Sequence, residues 1–200
     1  MTISDQAGAN ASSGALAANY TLTGGTHSFA INPKAVNITG TRQYDGTTSI
    51  PASDISGITG TVNTETLTMS SGLGSTSSAN VGTYNLTDTS AGTLALGNGS
   101  NGGLASNYTL TGGTQDYTIT QRVLTSSGSK IYDANTNALA GAITLSNLVS
   151  GEALNHSGTA TISSANAGSY TISNLSGISI ADGSGGAASN YTLTGGTHNF

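Results

Sequence analysis

The chain has no cysteine and no tryptophan, and only 6% of its 200 residues are charged. Without cysteine there is neither a disulfide framework to brace a small fold nor a thiol nucleophile. Four Lys and Arg stand against nine Asp and Glu, a net charge of −5. The basic surface that binding to a phosphate backbone requires is missing, so nucleic acid is not expected as a partner. No run of about 20 apolar residues is present, and this segment is not expected to span a membrane. Residues 1–10 carry neither the basic start nor the apolar stretch of an export signal, which is expected to lie outside this segment. Low charge also removes half of the usual signature of disorder, which couples low hydrophobicity to high net charge.

What fills the chain instead is Gly, 29 in all, with Ser, Thr and Asn, and only 35% of the residues are hydrophobic. The core is therefore expected to be thin. Thr, Tyr, Val and Ile fit a pleated surface, whereas Gly, Asn and Asp end strands and build turns. Alternation with a period of two marks short strands at Val36/Ile38, Leu67/Met69, Tyr84/Leu86, Leu94/Leu96, Tyr108/Leu110, Tyr117/Ile119, Tyr170/Ile172, Ile178/Ile180 and Tyr191/Leu193. Six or seven strands per unit are expected. A short helix over Ala138–Leu148 would place Leu139, Ile143 and Leu148 on one face, but Gly141 and Thr144 argue against it.

The strongest signal is internal repetition. The run Asn19-Tyr20-Thr21-Leu22-Thr23-Gly24-Gly25-Thr26 recurs from Asn107 and again from Asn190, at spacings of 88 and 83. Tyr44-Asp45-Gly46 returns as Tyr132-Asp133-Ala134, and Asn80-Val81-Gly82-Thr83-Tyr84 as Asn166-Ala167-Gly168-Ser169-Tyr170. A period above 80 residues exceeds the unit of a solenoid or propeller, so each repeat is expected to be a small module with a core of its own. The phase of the repeat divides the chain into terminal strands of an incomplete preceding repeat over residues 1–33, a complete repeat over 34–120, and a second repeat over 121–200 that lacks the end of its last strand. A continuous β-solenoid is the alternative architecture, and the length of the repeat argues against it.

These motifs, taken in order, resemble the YDG repeat domain, and the resemblance covers nearly the whole chain. It implies an all-β architecture of tandem small β-sandwich or β-grasp-like modules with Gly/Asn/Ser-rich turns, forming part of a longer repeat array. It also implies a place in large exported bacterial proteins of the filamentous-haemagglutinin kind, secreted or at the cell surface of Gram-negative bacteria. Neighbouring repeats of the same chain are then the expected partners, with no catalytic residues and no cofactor. The function expected is a structural stalk of an adhesin, spacing a distal binding region from the cell. The alternative is a module that binds host glycan or protein directly.

Residue by residue, Tyr44 and Tyr132 read as core anchors, and Asp45 and Asp133 as turn-formers bonding their own backbone. Gly46 faces Ala134 across the repeats, which weakens any functional role for the glycine itself. Tyr84, Tyr170, Tyr108 and Tyr191 complete the structural motif. All four basic residues fall at two repeat-equivalent positions, Lys34 with Arg122 and Arg42 with Lys130. Pairing with Asp45 or Asp133 at a strand edge is expected of them, because Arg in each pair argues against isopeptide chemistry. Gly97–Gly102 spells G-x-G-x-x-G with no helix to follow it, and the calcium-like opening of Asp133–Asn137 has Ala138 and Thr144 where Gly and Glu belong, so neither a nucleotide nor a metal is expected there. His27 and His198 align with Gln115, an exchange that suggests a solvent-facing side chain. Sequons at Asn19, Asn107 and Asn190 arise readily by chance in a chain of this composition.

Overall fold

The computed structural model describes residues 20–86 and 90–200. Contacts divide the chain into two compact units, Met1–Asn32 and Pro33–Phe200. In the first, the described residues 20–32 form a turn and no strand. The terminal strands expected over residues 1–33 are thus absent from 20–32, and the rest of that expectation lies outside the described residues. The reason is pairing. In the later copies this stretch is held as strand by a segment some 70 residues upstream, and residues 20–32 make no such pairing among the described residues.

The second unit is all-β, built from short strands in several small sheets, with four single-turn 3-10 segments among the described residues. Both repeats follow one path. Each opens with a two-residue strand that pairs in parallel with the Tyr-Thr of its own repeated motif: Lys34–Ala35 with Tyr108–Thr109, and Arg122–Val123 with Tyr191–Thr192. A parallel pair requires a crossover, and here the crossover is the whole intervening β-structure, so the first and last strands close each repeat on itself. In repeat one, Asn37–Gln43 continues the closure in parallel with Gln115–Thr120, flanked by Ile55–Thr59 and Gly82–Asn85 in a four-stranded mixed sheet. Repeat two keeps the arrangement as single bridges, Ser126 to His198 and Thr171 to Asn199. The segment Ala138–Leu148 is strand, a 3-10 turn at Ala140–Ala142, then strand again, as Gly141 and Thr144 suggest. Strands outnumber the six or seven expected per repeat, because bulges and glycines break longer runs into pieces.

The alternating pattern places its residues inside: Val36, Ile38, Tyr117 and Ile119 are all essentially buried. Each repeat has a cluster confined to itself, around Val36, Leu67 and Tyr108 in one and around Ile143, Ile162 and Ile178 in the other. A third cluster is shared. Tyr44, Ile50, Leu86, Tyr117 and Ile119 of repeat one pack with Leu124 and Tyr191 of repeat two, with Val149, Leu154 and Leu193 against them. Isolated beads would have no such cluster. A single residue, Gln121, separates strand Gln115–Thr120 from strand Arg122–Val123, and its side-chain amide donates to the Ser189 and Tyr191 carbonyls. No helix among the described residues is long and apolar enough to cross a membrane.

Candidate functional site

Three local devices recur in both repeats, and the third joins them. The first is the loop after the YDG tyrosine. Asp45 Oδ1 accepts from the Thr47 amide at 2.9 Å, and Asp133 Oδ1 from the Asn135 amide at 3.2 Å, the self-capping turn expected of both aspartates. A basic side chain then fills the loop. Lys130 Nζ donates to Asp133 Oδ1, the Asn135 carbonyl and side chain, and the Asn137 carbonyl, all within 2.7–2.9 Å. Arg42 does the same with Asp45 Oδ2, Thr47 and the Ser49 carbonyl. The calcium-like spelling of Asp133–Asn137 thus encloses an oxygen-lined cradle already occupied by an ammonium group. That ammonium, hydrogen-bonded to Asp133, holds its carboxyl below the ordinary value.

The residue after each aspartate takes a left-handed backbone: Gly46 has φ +78° and Ala134 φ +62°. The position therefore does require positive φ, and Ala134 adopts it under strain. Replacing Ala134 with Gly is expected to raise stability by about 0.5–1 kcal/mol, the relief of strain being partly offset by the greater freedom of Gly in the unfolded chain. A urea titration at constant slope checks it.

The second device is the Gly-Gly of the repeated motif. Gly112 and Gly195 have φ +79° and +83°. A Cβ on Gly113 would sit 1.9 Å from the Val36 carbonyl oxygen, and one on Gly196 2.0 Å from that of Leu124. One glycine turns the chain and the next lets it lie against the opening strand of its repeat. The Gln or His that follows holds the turn: Gln115 Nε2 donates to the Leu110 carbonyl, His198 Nε2 to that of Leu193 at 2.9 Å, and His27 Nε2 to that of Leu22 at 2.7 Å. The solvent-facing reading of this position holds for His27, which is exposed, and is corrected for Gln115, which is fully buried, and for His198, which is partly so. What Gln and His share is a side-chain N–H donor. With His198 Nε2 donating, Nδ1 accepts from the Ser126 hydroxyl at 2.9 Å. Ile38 stands at the position of Ser126 in repeat one, and Gln115 Oε1 makes no hydrogen bond with the described residues.

The third device is an acid that neither motif contains. Val62-Asn63-Thr64-Glu65-Thr66-Leu67 and Val149-Ser150-Gly151-Glu152-Ala153-Leu154 share the spelling Val-x-x-Glu-x-Leu at a spacing of 87, a signal available in the sequence but hidden by the variable residues between. In each repeat the motif tyrosine reaches this loop. The Tyr108 hydroxyl accepts from the Val62 amide at 3.0 Å and donates to Glu65 Oε2; Tyr191 accepts from the Val149 amide at 3.0 Å and donates to Glu152 Oε2 at 2.6 Å.

At the junction a second tyrosine arrives from repeat one. Tyr44 donates to Glu152 Oε1 at 2.5 Å, and its ring meets that of Tyr191 edge-on at 5.5 Å. Burial raises the Tyr44 hydroxyl pKa to about 12, helped by the hydrogen bond to Glu152 and its charge. Around this clamp Asn190 reaches back into repeat one, accepting from the Val81 amide and donating to Asn80 Oδ1, both at 2.9 Å. Arg122 bonds Asn147 and the Tyr44 carbonyl. Asn190 is 1% exposed, so its amide is closed to modification in the folded chain. Tyr44 is the core anchor expected of it. Tyr132 is not: it is 63% exposed beside an exposed Ile131, and among the described residues no Glu or Tyr meets it as Glu152 and Tyr191 meet Tyr44.

The YDG domain family model matches the chain twice, over residues 30–119 and 115–198. Neither a curated protein nor a solved structure matches it. Domains of this name occur in proteins of more than one kind, so the match identifies the module and not its role.

Proposed function

Because this chain belongs to the YDG domain family, with two modules in tandem, we propose that it is a structural stalk segment of a secreted or cell-surface bacterial adhesin, in which successive modules space a distal binding region from the cell. The observation that carries this reading is the junction: one connecting residue, a shared apolar cluster and a glutamate gripped by a tyrosine from each module. A flexible chain of beads would transmit neither direction nor force. Here rotation of one module against the other would strip Tyr44 from Glu152 and Asn190 from Asn80, so the joint resists bending. The reading assigns the chain no reaction and no cofactor. The nucleic-acid role that domains of this name have in some proteins gains no support from four basic residues, two of which are ion-paired within their own loops. Direct binding of host glycan or protein would draw on the exposed Tyr132 and Ile131.

Small-angle scattering tests the proposal. The chain is compared with a version carrying one further module, and the maximum dimension is expected to grow by one module length. A compact particle with an unchanged maximum dimension would overturn the stalk reading.

A further inference from the structure

The junction between the repeats has two faces, and each repeat carries both. The giving face of repeat one consists of Tyr44, Asn80 and Val81; its counterparts in repeat two are Tyr132, Asn166 and Ala167. The receiving face of repeat two consists of Val149, Glu152, Asn190 and Tyr191; its counterparts in repeat one are Val62, Glu65, Asn107 and Tyr108. In the junction the first set meets the second. The counterpart sets face no module among the described residues, and their exposure differs accordingly. Tyr44 is 5% exposed and Tyr132 63%; Asn190 is buried and Asn107 exposed; Val149 is half-buried and Val62 42% exposed.

The open receiving face is already built. The Tyr108 hydroxyl bonds Glu65 Oε2 and the Val62 amide as Tyr191 bonds Glu152 Oε2 and the Val149 amide, before any second tyrosine arrives. Glu65 Oε1, the counterpart of the oxygen that takes Tyr44, accepts no hydrogen bond from the described residues. On the open giving face, Tyr132 borders a cavity of about 160 Å³ lined also by Ala167, Tyr170 and Phe200. In repeat one the corresponding side chains, Tyr44, Val81, Tyr84 and Tyr117, belong to or pack on the cluster shared with repeat two.

We propose that these two faces are complementary, and that the giving face of repeat two docks onto the receiving face of repeat one in a second copy of this chain, Tyr132 donating to Glu65 Oε1 and the Asn107 amide engaging Asn166 and Ala167. The occupant is a second copy because the one surface seen to fit this face is its own repeat-equivalent. The contact is heterologous, so its repetition builds a line of modules rather than a closed dimer. One position fits less well. A Cβ on Gly46 would stand 3.1 Å from Val149 Cγ1, so Ala134 crowds an incoming Val62, and Ala134→Gly should tighten the contact. The proposal extends the stalk reading without depending on it: scattering of the lengthened chain tests the covalent joint, whereas the experiment below tests contact between separate chains.

Sedimentation velocity of the whole chain, followed up to millimolar concentration, is expected to show open-ended association without a fixed stoichiometry. Tyr132→Ala removes only the giving face and Val62→Lys only the receiving one. Both side chains are exposed, so circular dichroism should be unchanged. Each variant alone is expected to remain monomeric, and an equimolar mixture should form a capped 1:1 complex through the two intact faces. A wild-type chain that stays monomeric throughout, association that survives either substitution, or a mixture without complex would each overturn the proposal.

Discussion

Replacing Glu152 with alanine is expected to destabilise the two-module unit by about 2–4 kcal/mol, because two buried hydroxyls lose their acceptor and each unsatisfied group costs about 1–3 kcal/mol. Tyr44 and Tyr191 are 5% and 1% exposed, so water does not readily replace the carboxylate. Glu65 provides the internal control. It takes one tyrosine, Tyr108, and Glu65→Ala is expected to cost about half as much. Glu152→Gln keeps an acceptor oxygen and should fall between Glu152→Ala and the native chain. The same clamp sets an alkaline limit. The Tyr44 pKa is raised from its ordinary 10.0 to about 12, first by burial and then by Glu152, and that of Tyr191 is raised as well. A raised pKa means that the stabilisation is complete below pH 10.0 and is lost as pH climbs through about 12. Urea titrations across that window should show a steep loss for the native chain and a shallower one for Tyr44→Phe. If Glu152→Ala and Glu65→Ala cost the same, the second tyrosine contributes nothing and the clamp is not what holds the junction.

Features decided by a few neighbouring residues were legible in the sequence. The Asp45 and Asp133 turns close on amides two residues away, and Arg42 and Lys130 pair with acids three residues on, so their roles follow from local spelling. Alternation found the buried faces of Val36–Ile38 and Tyr117–Ile119 because a strand's period does not depend on its partner. What the sequence concealed depends on tertiary neighbours. Tyr44 and Tyr132 share the Tyr-Asp motif, and the contacts of Tyr44 with repeat two, which the motif does not spell, separate a buried anchor from an exposed ring. The exchange of Gln115 for His looked like surface tolerance, yet both side chains supply one N–H to a carbonyl five residues back. Glu65 and Glu152 escaped notice because each stands alone among small polar residues, and their importance appears only when a distant tyrosine reaches them. The shared cluster has the same origin. Leu124 and Tyr191 read as core residues of repeat two, and they are, but the core they enter is also that of repeat one.

That sharing makes Tyr117→Ala the most damaging single substitution expected in the chain. Tyr117 lies in the middle of strand Gln115–Thr120, fully buried, with the Asn37–Gln43 strand on one side and Gly82–Asn85 on the other. Its ring fills the space left by Gly40, where a Cβ would come within 2.8 Å of it, and its hydroxyl donates to Asp54 Oδ2 at 2.8 Å. The Arg42 guanidinium stands 6.0 Å from the ring centre. Truncation to alanine leaves a cavity that a β-sheet cannot collapse into, at a cost of about 3–5 kcal/mol, against about 1 kcal/mol for Tyr117→Phe, which removes only the hydroxyl. Domains are stable by about 5–15 kcal/mol in all, so the alanine variant should be substantially unfolded in moderate urea while the phenylalanine variant is not. The decisive readout is where protection is lost. Tyr117 belongs to repeat one, but its cluster includes Leu124 and Tyr191, with Leu145, Val149 and Leu154 packed on it. Hydrogen exchange in Tyr117→Ala is therefore expected to rise across residues 143–154 of repeat two as well as in repeat one. Loss of protection confined to residues 34–120 would mean that the modules fold independently and that their shared cluster contributes little cooperative stability.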